Sequence, residues 1–217
     1  MYQTVFLKIS LYVLIVCSLA CSPKQPKEQL PYYNSPDFTP VFLAAGEDVT
    51  KTIPHTIDSF SFTNQLGNNI TEQTVDEKIH VANFIFTRCA SICPVMTKHM
   101  KMVEKEYATD NNLVILSYSV TPWIDSVNRL KEFAEQNKIT SSNWHLLTGN
   151  KAEIYNLARR SYFAEEDLGF TKDSSEFLHT EHVLLIDKTK RIRGIYNGTL
   201  QLEIEQLIKD IKVLRDE

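Results

Sequence analysis

The sequence predicts an α/β domain: a central mixed sheet flanked by helices, with a hairpin extension on its N-terminal side. Three observations predict it. Residues 79–86 and 113–120 are near-continuous apolar runs, the pattern of strands covered on both faces. Stretches with helical apolar spacing alternate with these runs. The chain then closes with two short apolar segments and an amphipathic stretch over 200–214.

In chain order, Phe60 and Phe62 alternate with Ser59, Ser61 and Thr63, and Gly67-Asn68-Asn69 turns the chain before Ile70. That is a small hairpin. After the run at 79–86, apolar residues at 95, 96, 100, 103 and 107 form one helical stripe, with Pro94 in its first turn. The second run, 113–120, is followed by helical spacing over 126–137, a strand over 144–147 and a helix over 151–162. Residues 182–187 and 192–196 read as a hairpin turning on Lys188-Thr189-Lys190. The last helix carries Ile204, Leu207, Ile208 and Ile211 on one side. The order β-β-β-α-β-α-β-α-β-β-α, with a strand–Cys–helix junction and a terminal hairpin and helix, is how a thioredoxin-like fold reads.

Lys8 precedes an apolar run over 9–20, and Cys21 follows directly. Spanning a bilayer takes about 20 apolar residues, so the run suits the core of an export signal instead. Leu19-Ala20-Cys21-Ser22 resembles a bacterial lipoprotein cleavage box, with Ser18 where Leu is usual. Residues 1–21 are therefore expected to be a signal ending at a lipidated Cys21, with Cys17 leaving with it; the alternative is an uncleaved signal anchor, and either way the domain faces an exported compartment. Residues 22–50 read as a tether, since five of the eight prolines fall at 23, 26, 31, 36 and 40. The globular domain is expected over 51–217, held at the membrane of the cell envelope and facing the periplasm.

The chain has 217 residues, 43% of them apolar and 23% charged, with a net charge of −4. That balance suits a soluble domain and supplies no basic surplus to neutralise phosphates, which excludes nucleic acid as an expected partner. Of four cysteines, Cys89 and Cys93 alone remain in the mature domain. Two cysteines cannot build a disulfide framework, so the pair serves one local bond, a metal or redox chemistry. No Ser-His-Asp arrangement, phosphate-binding glycine loop or zinc-protease motif is present.

Cys89 stands just after a central strand, with Arg88 beside it, and Cys93 just before the proline that opens a helix. A helix N-terminus favours thiolate over thiol. Three residues separate the cysteines, against two in thioredoxin-type oxidoreductases; the wider bite allows a disulfide but also opens room for a metal ion. Two thiolates make a soft pair that favours Cu(I), whereas structural zinc would want four ligands. Three readings stay open: copper binding, thiol–disulfide exchange, and a structural Cys89–Cys93 disulfide. Met96, Met100 and Met102 lie on the helix after the motif; at helical spacing they read as core filling.

The chain resembles the Sco (SenC) family over about residues 55–215. The matching features are Phe60, Phe62, Thr63, Gly67 and Thr71, the run from Phe86-Thr87 through Cys89 to Cys93-Pro94, and Ser119-Val120-Thr121-Pro122. Leu147-Thr148-Gly149, His179-Thr180 and Leu185-Ile186-Asp187 also match. The resemblance implies a thioredoxin-like, copper-binding protein that assists assembly of the copper A site of cytochrome c oxidase. It implies Cys89, Cys93 and His179 as copper ligands, with His182 in reserve. The implied partners are a copper-site subunit of the oxidase or another copper chaperone. The alternative is an oxidoreductase acting on that subunit's cysteines, with Cys89 attacking and Cys93 resolving. Leu178 and Thr121 stand where the family commonly has acidic residues, which alters the support available to the ligands.

Overall fold

The computed structural model describes residues 29–164 and 180–217. Its centre is β5 (Ile79–Ile85) and β6 (Leu113–Ser119), the two predicted apolar runs, with all seven residues of each strand buried. They pair in parallel from Ile79↔Leu113 to Ile85↔Ser119, and β7 (Trp144–Thr148) adds a third parallel strand beside β6. On the other side of β5, β8 (His182–Ile186) runs antiparallel to it and forms a hairpin with β9 (Ile192–Asn197). The expected N-terminal hairpin is β3 (Ser61–Asn64) and β4 (Asn69–Thr71), docked antiparallel on β7. Its turn uses Gly67 at φ +80, a backbone region that costs glycine nothing, and the Asn64 side chain accepts from the amides of Leu66 and Asn68.

Two strands of the sheet carry no signal in the sequence. β1 (Tyr32–Tyr33) and β2 (Pro40–Val41) extend the sheet beyond β9, giving the order β2-β1-β9-β8-β5-β6-β7-β3-β4. The described part of the Pro-rich stretch is thus held against the sheet edge. The anchor is Arg193 on β9, which is 2% exposed. It donates to the carbonyls of Leu30 (2.9 Å) and Pro31 (3.0 Å) and stacks 3.9 Å from the Tyr32 ring centroid. A short helix, α1 (Val49–Thr52), follows, capped by Asp48 accepting from the Thr50 amide.

Each face of the sheet carries its own core. One gathers Val81, Ile85 and Val183 under α2 (Ile92–Tyr107), α3 (Val127–Gln136) and α5 (Gln201–Asp216), through Met96, Met100, Leu130, Ile204 and Leu207. The other gathers Phe60, Phe62, Phe84, Leu116 and Tyr118 under α4 (Lys151–Asn156) and the turn that follows. The helix expected over 151–162 is continuous α-helix only to Asn156; residues Leu157–Ser161 form a wider π turn, with the Tyr162 amide donating to Leu157 O. The wider turn seats Tyr162 inside, where its hydroxyl lies 3.0 Å from that of Tyr118 and 3.2 Å from His80 Nε2. Among the described residues no helix is long and apolar enough to cross a membrane.

Candidate metal centre

The chain leaves β5 at Ile85 and turns through Thr87-Arg88-Cys89, closed by the Cys89 amide donating to Phe86 O at 3.0 Å. Helix α2 begins three residues later. Its N-cap residue, Ser91, makes no side-chain cap, so the first amides of the helix need another acceptor. The Cys89 side chain stands at this end of the helix, where the backbone N–H groups of Cys93, Ser91 and Ile92 favour its charged form. Partial burial works against charge on Cys89, but the nearby backbone N–H groups and the Cys93 thiol outweigh it and lower its pKa.

Cys93 is buried at 6% exposure. Burial pushes its thiol up to about 12; a backbone hydrogen bond from Phe86 opposes the rise, and the Cys89 sulfur and Asp125 add to it. Both are free thiols. One is held toward thiolate and the other kept protonated, within hydrogen-bonding reach of each other. They open on a cleft of about 300 Å³ whose walls include Phe84, Phe86, Val120 and Thr180. The walls are mostly apolar, and a dry site strengthens any charge interaction made in it.

Below the turn lies a residue that the sequence did not single out. Asp125, in the loop between β6 and α3, is 0% exposed. Its carboxylate accepts from Thr87 Oγ1 (2.5 Å), Ser119 Oγ (2.6 Å) and Thr121 Oγ1 (3.0 Å). Thr121, where the family commonly has an acid, is thus a donor to the acid four residues on. The available signal was three hydroxyl residues at the ends of otherwise apolar strands, with a lone acid in the following loop.

The other candidates fall elsewhere. Met96 and Met100 are 0% exposed in the core beneath α2. His99 bonds through Nδ1 to Gly198 O at 2.9 Å, and His80 is enclosed with Tyr162. His55 stacks on Phe163, and His145 lies 3.2 Å from Asn64 Nδ2. His182 sets its ring edge against Phe38, 5.5 Å between centroids, with Nδ1 buried and unpartnered. Among the described residues no group of three His, Cys, Asp or Glu side chains is placed to hold a metal ion. His179, Leu178 and Cys21 lie outside the described residues. Thr180, which lines the cysteine cleft, directly follows His179 in the chain.

Comparison with known proteins agrees with this fold. A curated relative, the SCO1 protein homolog of Bacillus subtilis (strain 168), is 31% identical over 176 residues, covering 79% of this chain and 90% of the relative. Among solved structures, BsSco, described as a member of the Sco family of cytochrome c oxidase assembly proteins with a disulfide switch, matches with a TM-score of 0.63. It shares 30% identity, over 75% of this chain and 94% of BsSco. Bradyrhizobium japonicum ScoI, solved with copper bound, shares the fold at a TM-score of 0.57 and 22% identity, over 73% of this chain and 99% of its own. The family model SCO1/SenC matches residues 49–215, which takes in both cysteines, the strands that carry them and the closing helix: this chain belongs to the SCO1/SenC family.

Proposed function

We propose that the chain binds copper through the thiolates of Cys89 and Cys93 and the imidazole of His179, and delivers it during assembly of the copper A site of cytochrome c oxidase. The observation that carries this reading is the pair of free cysteines, Cys89 and Cys93, lining one mostly apolar cleft at the start of α2. A soft, anion-stabilised pair of sulfurs in an apolar cleft suits Cu(I). Copper is the cargo: binding it displaces the Cys93 proton, and burial makes that proton costly to remove without a metal. The described residues offer no third ligand, and the cleft wall at Thr180 adjoins His179 in sequence. The copper-bound ScoI structure and the assembly role given for BsSco support the reading. The test is X-ray absorption on the reduced, copper-loaded full chain. Two sulfurs and one nitrogen are expected at copper, and His179→Ala loses the nitrogen and at least tenfold in affinity. An unchanged spectrum and affinity in that variant would rule His179 out.

One observation favours a second reading. Cys89 is the more exposed and more acidic thiol and Cys93 the buried, protonated one, which is the division of labour that disulfide reduction needs. The Cys89 thiolate would attack a disulfide of the target and expel one target thiolate. The Cys93 thiol, passing its proton to solvent or that thiolate, would then attack Cys89. The products are a Cys89–Cys93 disulfide and two target thiols. His179→Ala separates the readings, because it weakens copper binding and leaves this exchange intact.

We infer that the chain works exported and anchored in the cell envelope. The apolar run at 9–20 followed by Cys21 supports a lipid anchor facing the periplasm. Expressed in a bacterium with lipoprotein processing, the chain is expected in the membrane fraction, and Cys21→Ala in the soluble or unprocessed fraction. Processing and fractionation unaffected by Cys21→Ala would rule out lipidation there.

A further inference from the structure

Asp125 is a carboxylate with no exposed surface and no cationic partner among the described residues. Burying such a group is costly unless hydrogen bonds satisfy it. Here they do: Thr87 Oγ1 at 2.5 Å, Ser119 Oγ at 2.6 Å, Thr121 Oγ1 at 3.0 Å and, at a long 3.4 Å, the Thr87 amide. In every contact Asp125 accepts. The Thr87 hydroxyl has its orientation fixed from the other side, since it also accepts from Arg129 Nε at 3.2 Å. That leaves its proton for Asp125.

The sheet does not need this tie. Val120 N already donates to Ile85 O at 2.9 Å, one step past the last paired residues of β5 and β6. What the carboxylate adds lies further out, at Thr87. That residue is the second after β5 and the second before Cys89, so its hydroxyl sits at the root of the turn that carries the Cys89 sulfur to α2. The Asp125 side chain reaches it because Asp125 N and Ile124 N both fold back onto Thr121 O. A buried acid has been placed where it locks the approach to the cysteine rather than the body of the fold.

We infer that Asp125 is a positioning residue for the cysteine pair, acting through Thr87 to fix the turn that carries Cys89 to the start of α2. The inference rests on Cys89 and Cys93 being the working pair, and it holds for either chemistry they perform. The tie fixes the turn with both cysteines as free thiols, and closing a disulfide must bring the two sulfurs to about 2.05 Å; a turn held at Thr87 resists that movement, so the tie favours the dithiol. Thr87 is the intermediary. A hydroxyl at 87 is required, and its methyl group is not.

The test is the dithiol–disulfide equilibrium of the metal-free full chain in dithiothreitol redox buffers, with thermal unfolding followed in parallel. Asp125→Asn presents an amide NH₂ to donors that need an acceptor, and Thr87→Val removes the hydroxyl. Each is expected to move the equilibrium at least about tenfold toward the disulfide, about 30 mV for a two-electron couple. Thr87→Ser is expected to stay within about twofold of wild type. The double variant is expected to shift no further than the larger single one, because both cut the same link. Equilibria within about twofold of wild type in Asp125→Asn and Thr87→Val, whatever their melting temperatures, would reduce Asp125 to a structural residue. A shift toward the dithiol, or Thr87→Ser behaving like Thr87→Val, would equally overturn the inference. If Asp125→Asn does not fold, the Thr87 pair decides. A wild-type chain that binds no copper would sink the copper reading alone, since every arm of this test is read without metal.

Discussion

Two cysteines four positions apart have opposite characters because one stands outside the start of the helix and the other is buried within its first turn. Cys89 stands beside the helix-opening N–H groups that Ser91 leaves uncapped, and their effect outweighs partial burial and lowers its pKa. Cys93 lies in the first turn of α2, where burial holds its thiol up at about 12. The asymmetry has a direct readout, since alkylation follows the thiolate and its access. With iodoacetamide on the reduced, metal-free chain, one equivalent is expected to react quickly, at Cys89 by peptide mapping. Its rate is expected to rise with pH about a midpoint below that of an unperturbed cysteine. Cys93 is expected to stay unmodified up to pH ~9 while the chain is folded. Equal rates at both positions, or faster labelling of Cys93, would contradict the assignment.

At the scale of elements, the junctions rather than the elements themselves decide the site. Strands β5 and β6 were legible because both faces are covered, so their residues are apolar without interruption. Helix α2 was legible from its single stripe, and Cys89 and Cys93 stood out by their spacing and by Pro94. The geometry between elements was not legible, because it depends on partners far apart in sequence. Asp125 acts on Thr87, 38 residues away. Strands β1 and β2 exist as two-residue pairs because Arg193 holds Leu30 and Pro31, more than 160 residues earlier; no local periodicity could reveal them. The π turn at Leu157–Ser161 keeps a helical composition and departs from the α pattern only to seat Tyr162 in the core. Gly198, where β9 gives way to α5, is another such junction. A Cβ there would come within 2.8 Å of Val183 Cγ2 and 3.0 Å of Met96 Cε, and its carbonyl takes the His99 ring. Only a glycine lets the end of β9 close against both β8 and the helix that carries Cys93.

At the scale of the whole molecule, the same packing that encloses both sheet faces sets a limit on acid stability. His80, in the middle strand β5, is 0% exposed and meets Tyr162 through Nε2, while its Nδ1 has no partner. Burial, with a smaller effect from the positive charge of Lys190, lowers its pKa to about 3. An unfolded histidine titrates near 6.5. Between those values the unfolded chain binds a proton that the folded chain refuses, so stability falls as pH falls. The contribution is intact above pH ~6.5, declines by up to about 1.4 kcal/mol for each pH unit below it, and is spent near the folded value. His145, whose pKa is also lowered by burial and by Lys78, acts in the same direction, so a melting curve of wild type alone cannot separate them. His80→Phe can, because it removes the titrating group and keeps a ring beside Tyr162. Denaturant unfolding at pH 7, 6 and 5 is expected to show wild type losing stability faster than His80→Phe, the difference approaching about 2 kcal/mol at pH 5. The variant itself starts lower at pH 7, since the Tyr162 hydroxyl loses one partner and keeps only Tyr118. Parallel pH slopes in the two proteins would show that His80 is not the residue through which acid reaches the core.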